Sequence, residues 1–335
     1  MSKVGIIANP AAGKDIRRLV SYATVVGNTK KIDIVKRVIL ALNSTGVDEI
    51  VTMPDPYQLV DRALDGIKRN ELGCQVSIMD MTINSSAEDS ITAARLMKEH
   101  GVDCIITVGG DGTNRVVARG CGSVPIVPIS TGTNNVFPFM VEGTTAGLVA
   151  GIIARGIVDP AKFTATAKKL NIIKNNRLID LALIDVVVMD EIFIGSKAIW
   201  DLSRVKEVFT TQGHPSYIGM ASIGGSLHPI GAEDDHGFYL RIGKGNTKVK
   251  AAIAPGIIRE VEIEKFQVLN LNDKVKITDK SALLALDGER EVEIYPQDEV
   301  EIELCRDGPR VVKMKETLEE AVRKGFFVSS GASTL

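Results

Sequence analysis

Two hydrophobic periods alternate along residues 1–160. Short β-branched runs stand at Lys3–Ala8, Glu49–Met53, Cys74–Met79, Cys104–Val108 and Pro125–Ile129. Between them the apolar positions fall at helical spacing. In Thr29–Asn43 the residues Ile32, Val35, Val38, Ile39 and Leu42 mark one face of a helix. Ser86-Ala87-Glu88-Asp89 has the layout of a capping box and opens another helix, with Gly101 just past its end at His100. A further helix is expected near Thr144–Arg155. Strands separated by helices pair in parallel, because parallel neighbours need a crossover. This half therefore reads as an open, doubly wound α/β sheet, with any ligand at the carboxyl ends of its strands.

After Asp159-Pro160 the pattern changes. Leu170–Ile173, Asn175-Asn176 and Leu178–Val188 read as a hairpin, with asparagines where the turn needs positive φ. The runs Lys248–Ala254, Val261–Leu269, Lys274–Thr278, Ser281–Leu286, Glu291–Tyr295 and Glu299–Leu304 are short and separated by Gly, Asn, Asp and Pro. They predict a β-rich, sandwich-like second domain. Helices are expected at Ile199–Val208 and Lys315–Lys324, and a frayed tail at Ser329–Ser333. The division is an α/β domain over 1–160, a β-rich domain over 161–310, and a segment 311–335 returning to the first domain.

Composition narrows the function classes. Forty basic against 42 acidic side chains leave a net charge of −2, which speaks against a nucleic-acid partner. No apolar run approaches the ~18 residues of a membrane span, and the amino terminus lacks a signal-peptide layout, so a cytoplasmic protein is expected. Cys74, Cys104, Cys121 and Cys305 are widely spaced and form no C-x-x-C pair, as free thiols would be. Lys30-Lys31 and Arg17-Arg18 are too sparse for a membrane-docking patch.

Three polar, small-residue loops each follow a strand. Gly109-Gly110-Asp111-Gly112-Thr113-Asn114 follows Cys104–Val108 and leads into a helix-like stretch. Glycine lets the backbone approach a ligand closely, and a helix start offers unpaired N–H groups to an anion. A carboxylate there needs a metal ion or a proton to act on. Ser130-Thr131-Gly132-Thr133-Asn134-Asn135 follows the next strand, and Asn9-Pro10-Ala11-Ala12-Gly13-Lys14 follows the first. Neither a dinucleotide fingerprint nor a P-loop is present, but Lys14 can neutralise a phosphate as a point charge. Gathered on one sheet edge, the loops point to an anionic ligand such as a phosphate. The segment His214–Gly237 holds three of the four histidines, but its spacing fits no zinc motif and it reads as a solvated loop. Trp200 reads as a core residue.

Gly109-Gly110-Asp111-Gly112-Thr113 resembles the signature of the superfamily that joins NAD kinases with diacylglycerol and sphingosine kinases. Asn9-Pro10-x-x-Gly13-Lys14 resembles the opening motif of the lipid-kinase branch, and Leu286-Asp287-Gly288-Glu289 its distal D-G-E. Ile6 to Pro10, Gly13 to Arg18, and Ser130 to Pro138 together look like the acetoin catabolism protein X family, which is grouped with the ATP-NAD kinases.

The resemblance implies an ATP-dependent kinase using Mg²⁺, with NAD(H) the default acceptor. A small hydroxylated metabolite of acetoin breakdown, or a non-catalytic nucleotide-sensing role, are its alternatives. Asp111 matches the catalytic carboxylate and a Mg²⁺ contact. Asn9, Gly13, Lys14, Gly109, Gly110, Gly112, Thr113, Thr131, Gly132, Thr133 and Asn134 match the phosphate and nucleotide loops. Asp190 and Glu191 stand where NAD kinases carry an acceptor-contacting N-E or N-D pair, here with Asp in place of Asn. Asp287 and Glu289 match acceptor or metal positions. The second loop is nearer the lipid-kinase form than the G-T-L-G-F of NAD kinases. By the same analogy the chain is a homo-oligomer, a dimer or tetramer.

Overall fold

The computed structural model describes residues 1–13, 26–190, 202–279 and 281–328. The first half runs β1 (Lys3–Ala8), α1 (Asn28–Thr45), β2 (Glu49–Thr52), α2 (Leu59–Asp65), β3 (Gln75–Ile78), α3 (Ala87–Glu99), β4 (Cys104–Gly109), α4 (Asp111–Ala118), β5 (Ile126–Ser130) and α5 (Gly143–Ala154). The second runs β6 (Thr164–Thr166), β7 (Lys169–Lys174), β8 (Arg177–Ala182), β9 (Asp185–Met189), β10 (Val205–Thr210), α6 (Met220–Gly225), β11 (His236–Ala254), β12 (Ile257–Asn270), β13 (Lys274–Lys276), β14 (Ala282–Leu286), β15 (Glu289–Ile294), β16 (Val300–Cys305), β17 (Arg310–Val312) and α7 (Met314–Arg323).

Strands β1 to β5 pair in parallel in the order β3-β2-β1-β4-β5. Every residue of β4 is buried, as a central strand covered by helices on both faces must be. On one face α1, α2 and α5 pack Val35, Val38, Leu59, Ala146 and Val149 against Ile6, Ile50 and Ile106. On the other, α3 and α4 bring Ala93, Ala94, Met97 and Val117 against Ile7, Val51 and Ile105. The caps follow the local sequence. Gly46 ends α1 in the left-handed region at φ 76°, and Ser86 with Asp89 forms the capping box of α3. The chain also returns to this sheet at its end. β17 lies parallel to β5, β6 closes the edge antiparallel to β17, and Ala321 of α7 joins the core of α5.

The second half forms two antiparallel sheets, ordered β12-β11-β10-β9-β14-β15 and β13-β16-β7-β8. Leu170, Ile172, Val186, Val188, Phe209 and Leu304 lie in the core shared by strands of both. The β7–β8 turn uses Asn175 and Asn176 at φ 52° and 60°, a primed turn that matches strand twist. Three expectations are corrected here. The helix expected over Ile199–Val208 is the strand β10 from Val205 onward, with residues 199–201 outside the described ones. Val205, Val208 and Phe209 are buried on both faces of a central strand, and such runs imitate a helical spacing. The run Leu178–Val188 is two strands broken at Leu183-Ile184. The strand expected from Lys248 begins at His236 and is 19 residues long, with residues 243–246 bulged out between Ile242 and Thr247. The glycines in that stretch hid its strand character.

Candidate active site

The order β3-β2-β1-β4-β5 reverses direction between β1 and β4, which opens a crevice beyond their carboxyl ends. All three polar loops meet there. Asn9 N–H donates to the Val108 carbonyl at 3.1 Å, and its side-chain Nδ2 donates to Thr113 Oγ1 at 3.0 Å. Asn9 Oδ1 accepts the Ala11 N–H at 2.8 Å, turning the chain back on itself. Thr131 N–H donates to the Gly109 carbonyl at 3.1 Å. Gly13, at φ +71°, lies so close to the loop after β5 that a Cβ on it would stand 2.8 Å from the Thr131 carbonyl oxygen.

Asp111 is the first residue of α4, at the positive end of the helix dipole. Its Oδ1 accepts the N–H groups of Val136 at 3.0 Å and Phe137 at 2.8 Å, and Oδ2 accepts Val136 at 3.1 Å. The carboxylate thereby ties the Gly109–Thr113 loop to the one that follows β5. Two asparagines complete the tie. Asn114 is fully buried, takes the Thr107 hydroxyl on Oδ1 and gives Nδ2 to the Gly110 carbonyl. Asn135 donates to Ser130 Oγ at 2.9 Å and leaves no room beside Gly110 or Gly132, where a Cβ would come within 2.9 and 3.1 Å of it. Among the described residues the buried Thr131 hydroxyl has no hydrogen-bond partner. A buried polar group without a partner costs free energy, which a ligand oxygen would recover.

The second domain supplies the opposite wall. Asp287 and Gly288 form a tight turn at φ 50° and 84° between β14 and β15. Asp287 accepts the N–H groups of Leu183 at 2.9 Å, Ile184 at 2.7 Å and Asp185 at 3.1 Å. Burial pushes its pKa up, against the opposing pull of these amides and of Arg115. Its oxygens are thus engaged by the break between β8 and β9. Glu289 behaves differently. Its Oε1 lies 3.2 Å from where a Cβ on Gly112 would stand, and no hydrogen bond or ion pair engages its carboxylate among the described residues. Arg115 of α4, 2% exposed, pairs with Asp180 of β8 at 3.0 Å, and Leu183, Ile184 and Ala221 join the core of α3 and α4. The two domains therefore share a packed interface directly behind the site.

The crevice brings together Asn9, Gly13, Gly109, Gly110, Asp111, Gly112, Thr113 and Thr131, with Gly132, Thr133 and Asn134 on the loop after β5 and Asp287 and Glu289 opposite. Thr133 Oγ1 donates to Asn134 Oδ1 at 2.9 Å. Asp190 is not brought there. It follows the far end of β9, about 16 Å along the strand from Asp185 at ~3.3 Å per residue, and pairs with Lys206 at 3.0 Å. Lys14, Glu191 and Trp200 lie outside the described residues. The loop before β11 is held down by the buried Lys168, which donates to the carbonyls of Gly231 and His236, and by Arg306, which pairs with Asp235. Among the described residues no group of three or more metal-ligating side chains occurs.

Sequence reasoning missed Lys31, Asn114, Asn135 and the Arg115–Asp180 pair. Lys31 left a trace, because it precedes Val35 by four residues and so falls on the apolar stripe of α1. Arg115 and Asp180 left none, being 65 residues apart.

The features suit a nucleotide with a divalent ion. Backbone N–H groups at a helix start and the unpartnered Thr131 hydroxyl suit phosphate oxygens. Carboxylates at Asp111 and Glu289 suit a hard, oxygen-preferring cation. Residues 4–157 match the ATP-NAD kinase N-terminal domain, and residues 168–307 match the acetoin catabolism protein X C-terminal domain. The chain is 37% identical over 331 residues to acetoin catabolism protein X of Cupriavidus necator, an alignment that covers 96% of this chain and 92% of that protein. Among solved structures, yeast NADH kinase in complex with NADH superposes with a TM-score of 0.53 at 13% identity, over 100% of this chain and 90% of that chain. At that identity the likeness is one of fold.

Proposed function

The chain belongs to the acetoin catabolism protein X family, and from that premise we propose that it is an ATP-dependent kinase of a hydroxyl acceptor, with NAD(H) the first acceptor to test. The observation that carries this reading is the meeting of three loops at the β1/β4 crevice, with Asp111 binding two of them together and Glu289 facing Gly112 from the other domain. Phosphoryl transfer asks a protein mainly to hold donor and acceptor in line and to neutralise charge. Backbone N–H groups of Gly110–Thr113 and Gly13, the Thr131 hydroxyl and Lys14 would hold the phosphates. Mg²⁺, when bound, would neutralise phosphate charge, and Asp111 and Glu289 are the carboxylates that would hold it. The acceptor oxygen attacks the terminal phosphorus, the bond to the ADP oxygen breaks, and the hydroxyl proton passes to a carboxylate. Glu289 is the better placed for that proton, because Asp111 is engaged by Val136 and Phe137. Asp287 supports the turn that carries Glu289.

A second acceptor class is favoured by one observation: Asp190, which has Asp where NAD kinases carry Asn, follows the far end of β9 and pairs with Lys206. A small hydroxylated metabolite, in keeping with the relative's name, is that second reading. The test is ADP release from Mg-ATP by the purified protein with NAD⁺, NADH or acetoin-related hydroxy compounds, with Asp111→Asn as control. NAD⁺- or NADH-dependent release that yields a phosphorylated dinucleotide and vanishes in the variant supports the dinucleotide acceptor. Release with hydroxy compounds alone moves the assignment to the second class. Saturable ATP binding without release for any acceptor would overturn the enzyme reading in favour of a nucleotide sensor.

A further inference from the structure

Lys31 is fully buried in the first turns of α1, and its ammonium faces the loop after β1. Nζ donates to the carbonyls of Asn9 at 2.9 Å, Pro10 at 2.9 Å and Ala12 at 2.6 Å, and to Asn28 Oδ1 at 3.3 Å. A helix start is the positive end of the dipole, so an ammonium there is held by the acceptors around it, and three of these are carbonyls of one loop.

Two effects follow. Three carbonyls bound to one ammonium fix the curvature of Asn9–Ala12 and hold their oxygens toward the Lys31 side chain of α1. A carbonyl that binds a cation also makes the N–H of the same peptide a stronger donor. The peptide of the Ala12 carbonyl carries the Gly13 N–H, for which no acceptor is present among the described residues. Gly13 lies against Thr131, whose hydroxyl is also unpartnered among the described residues. Resting on the nucleotide reading above, we propose that Lys31 is a positioning residue: it holds Asn9–Gly13 in a phosphate-receiving shape and directs the Gly13 N–H, beside the Thr131 hydroxyl, at the polyphosphate of the nucleotide. It acts through the backbone from beneath the loop and touches no substrate.

The test compares wild type with Lys31→Met, which keeps length and removes charge, and Lys31→Arg, which keeps charge and donors. Amide exchange across residues 9–13 is read without nucleotide, and Mg-ATP affinity by calorimetry. In Lys31→Met exchange over 9–13 should quicken and Mg-ATP binding weaken, each by about ten-fold or more, the size of a lost charge-assisted bond. Protection of Cys104–Gly109 should be unchanged, and turnover at saturating Mg-ATP should fall far less than affinity. Lys31→Arg should stay within about three-fold of wild type on both readouts. If Lys31→Met does not fold, Lys31→Gln, polar without charge, takes its place. Unchanged exchange in the uncharged variant overturns the proposal. So does a freed loop with unchanged affinity, or an arginine variant as impaired as the methionine one, which would make the role one of volume. If wild type itself fails to bind Mg-ATP, the nucleotide reading falls and the phosphate half of this proposal with it, while the exchange data still decide whether Lys31 orders the loop.

Discussion

Replacing Asp287 by asparagine separates support from chemistry in the D-G-E turn. Its two oxygens accept three N–H groups, from Leu183, Ile184 and Asp185, and the first two residues are each 1% exposed. Ile184 and Asp185 share Oδ1, so an amide oxygen in that place keeps both bonds. The amide nitrogen then faces the Leu183 N–H and strands one buried donor, at a cost of about 1–3 kcal/mol. Asparagine tolerates the φ of 50° at this position, so little backbone strain is added. Lost attraction to Arg115 places the expectation near 2 kcal/mol for Asp287→Asn. Alanine strands all three donors and is disfavoured at positive φ, so roughly 3–5 kcal/mol is expected for Asp287→Ala. Urea unfolding with a common m-value measures both. Turnover of the asparagine variant, assayed where it is fully folded, should stay within about three-fold of wild type, because no reacting atom is touched. A loss of turnover by orders of magnitude with an unchanged midpoint would refute the reasoning and make Asp287 a metal or acceptor ligand.

Glu289→Gln should do the reverse, lowering turnover by about 10²-fold or more with an unchanged unfolding midpoint, because its carboxylate has no partner to lose among the described residues. Equal activity in steady-state kinetics would remove it from the chemistry. Asp180→Ala takes away the 3.0 Å partner of a guanidinium that is 2% exposed and should cost about 3 kcal/mol in urea unfolding. The double variant Arg115→Met with Asp180→Leu should recover most of that loss, and an additive double variant would count against a buried pair. Burial pushes Lys168 down to about 8 from its ordinary 10.5. Between those values the unfolded chain holds more protons than the folded one, so stability should climb as pH rises from 8 to 10.5. The climb is on the order of 3 kcal/mol in full and should be missing from Lys168→Met in pH-dependent unfolding. Equal slopes in the two proteins would show that Lys168 stays ionised in the fold.

Some of this protein was legible in its residues because the information is local. The β-branched runs and the Ile32–Leu42 stripe follow from side-chain period alone, as do the Ser86–Asp89 capping box and the Asn175-Asn176 turn. The three small-residue loops could be assigned to one sheet edge, since parallel strands all deliver their carboxyl ends to the same side. Where local pattern failed, the competing physics was tertiary. β10 is apolar on both faces because sheet neighbours and two cores enclose it, and a strand covered on both faces loses the alternation that would announce it. The roles of the carboxylates were undecidable from their spacing. Asp287 and Glu289 are two residues apart, yet three amides from the β8–β9 break engage one while the other faces Gly112 with no partner among the described residues. Lys31 and the Arg115–Asp180 pair show the same limit. Residue type and period, acting over a few neighbours, determined the elements, the caps and the loop chemistry. Only the tertiary structure decided which polar groups are spent on the fold and which are left for a ligand, because desolvation and hydrogen-bond partners come from chain segments far apart in sequence.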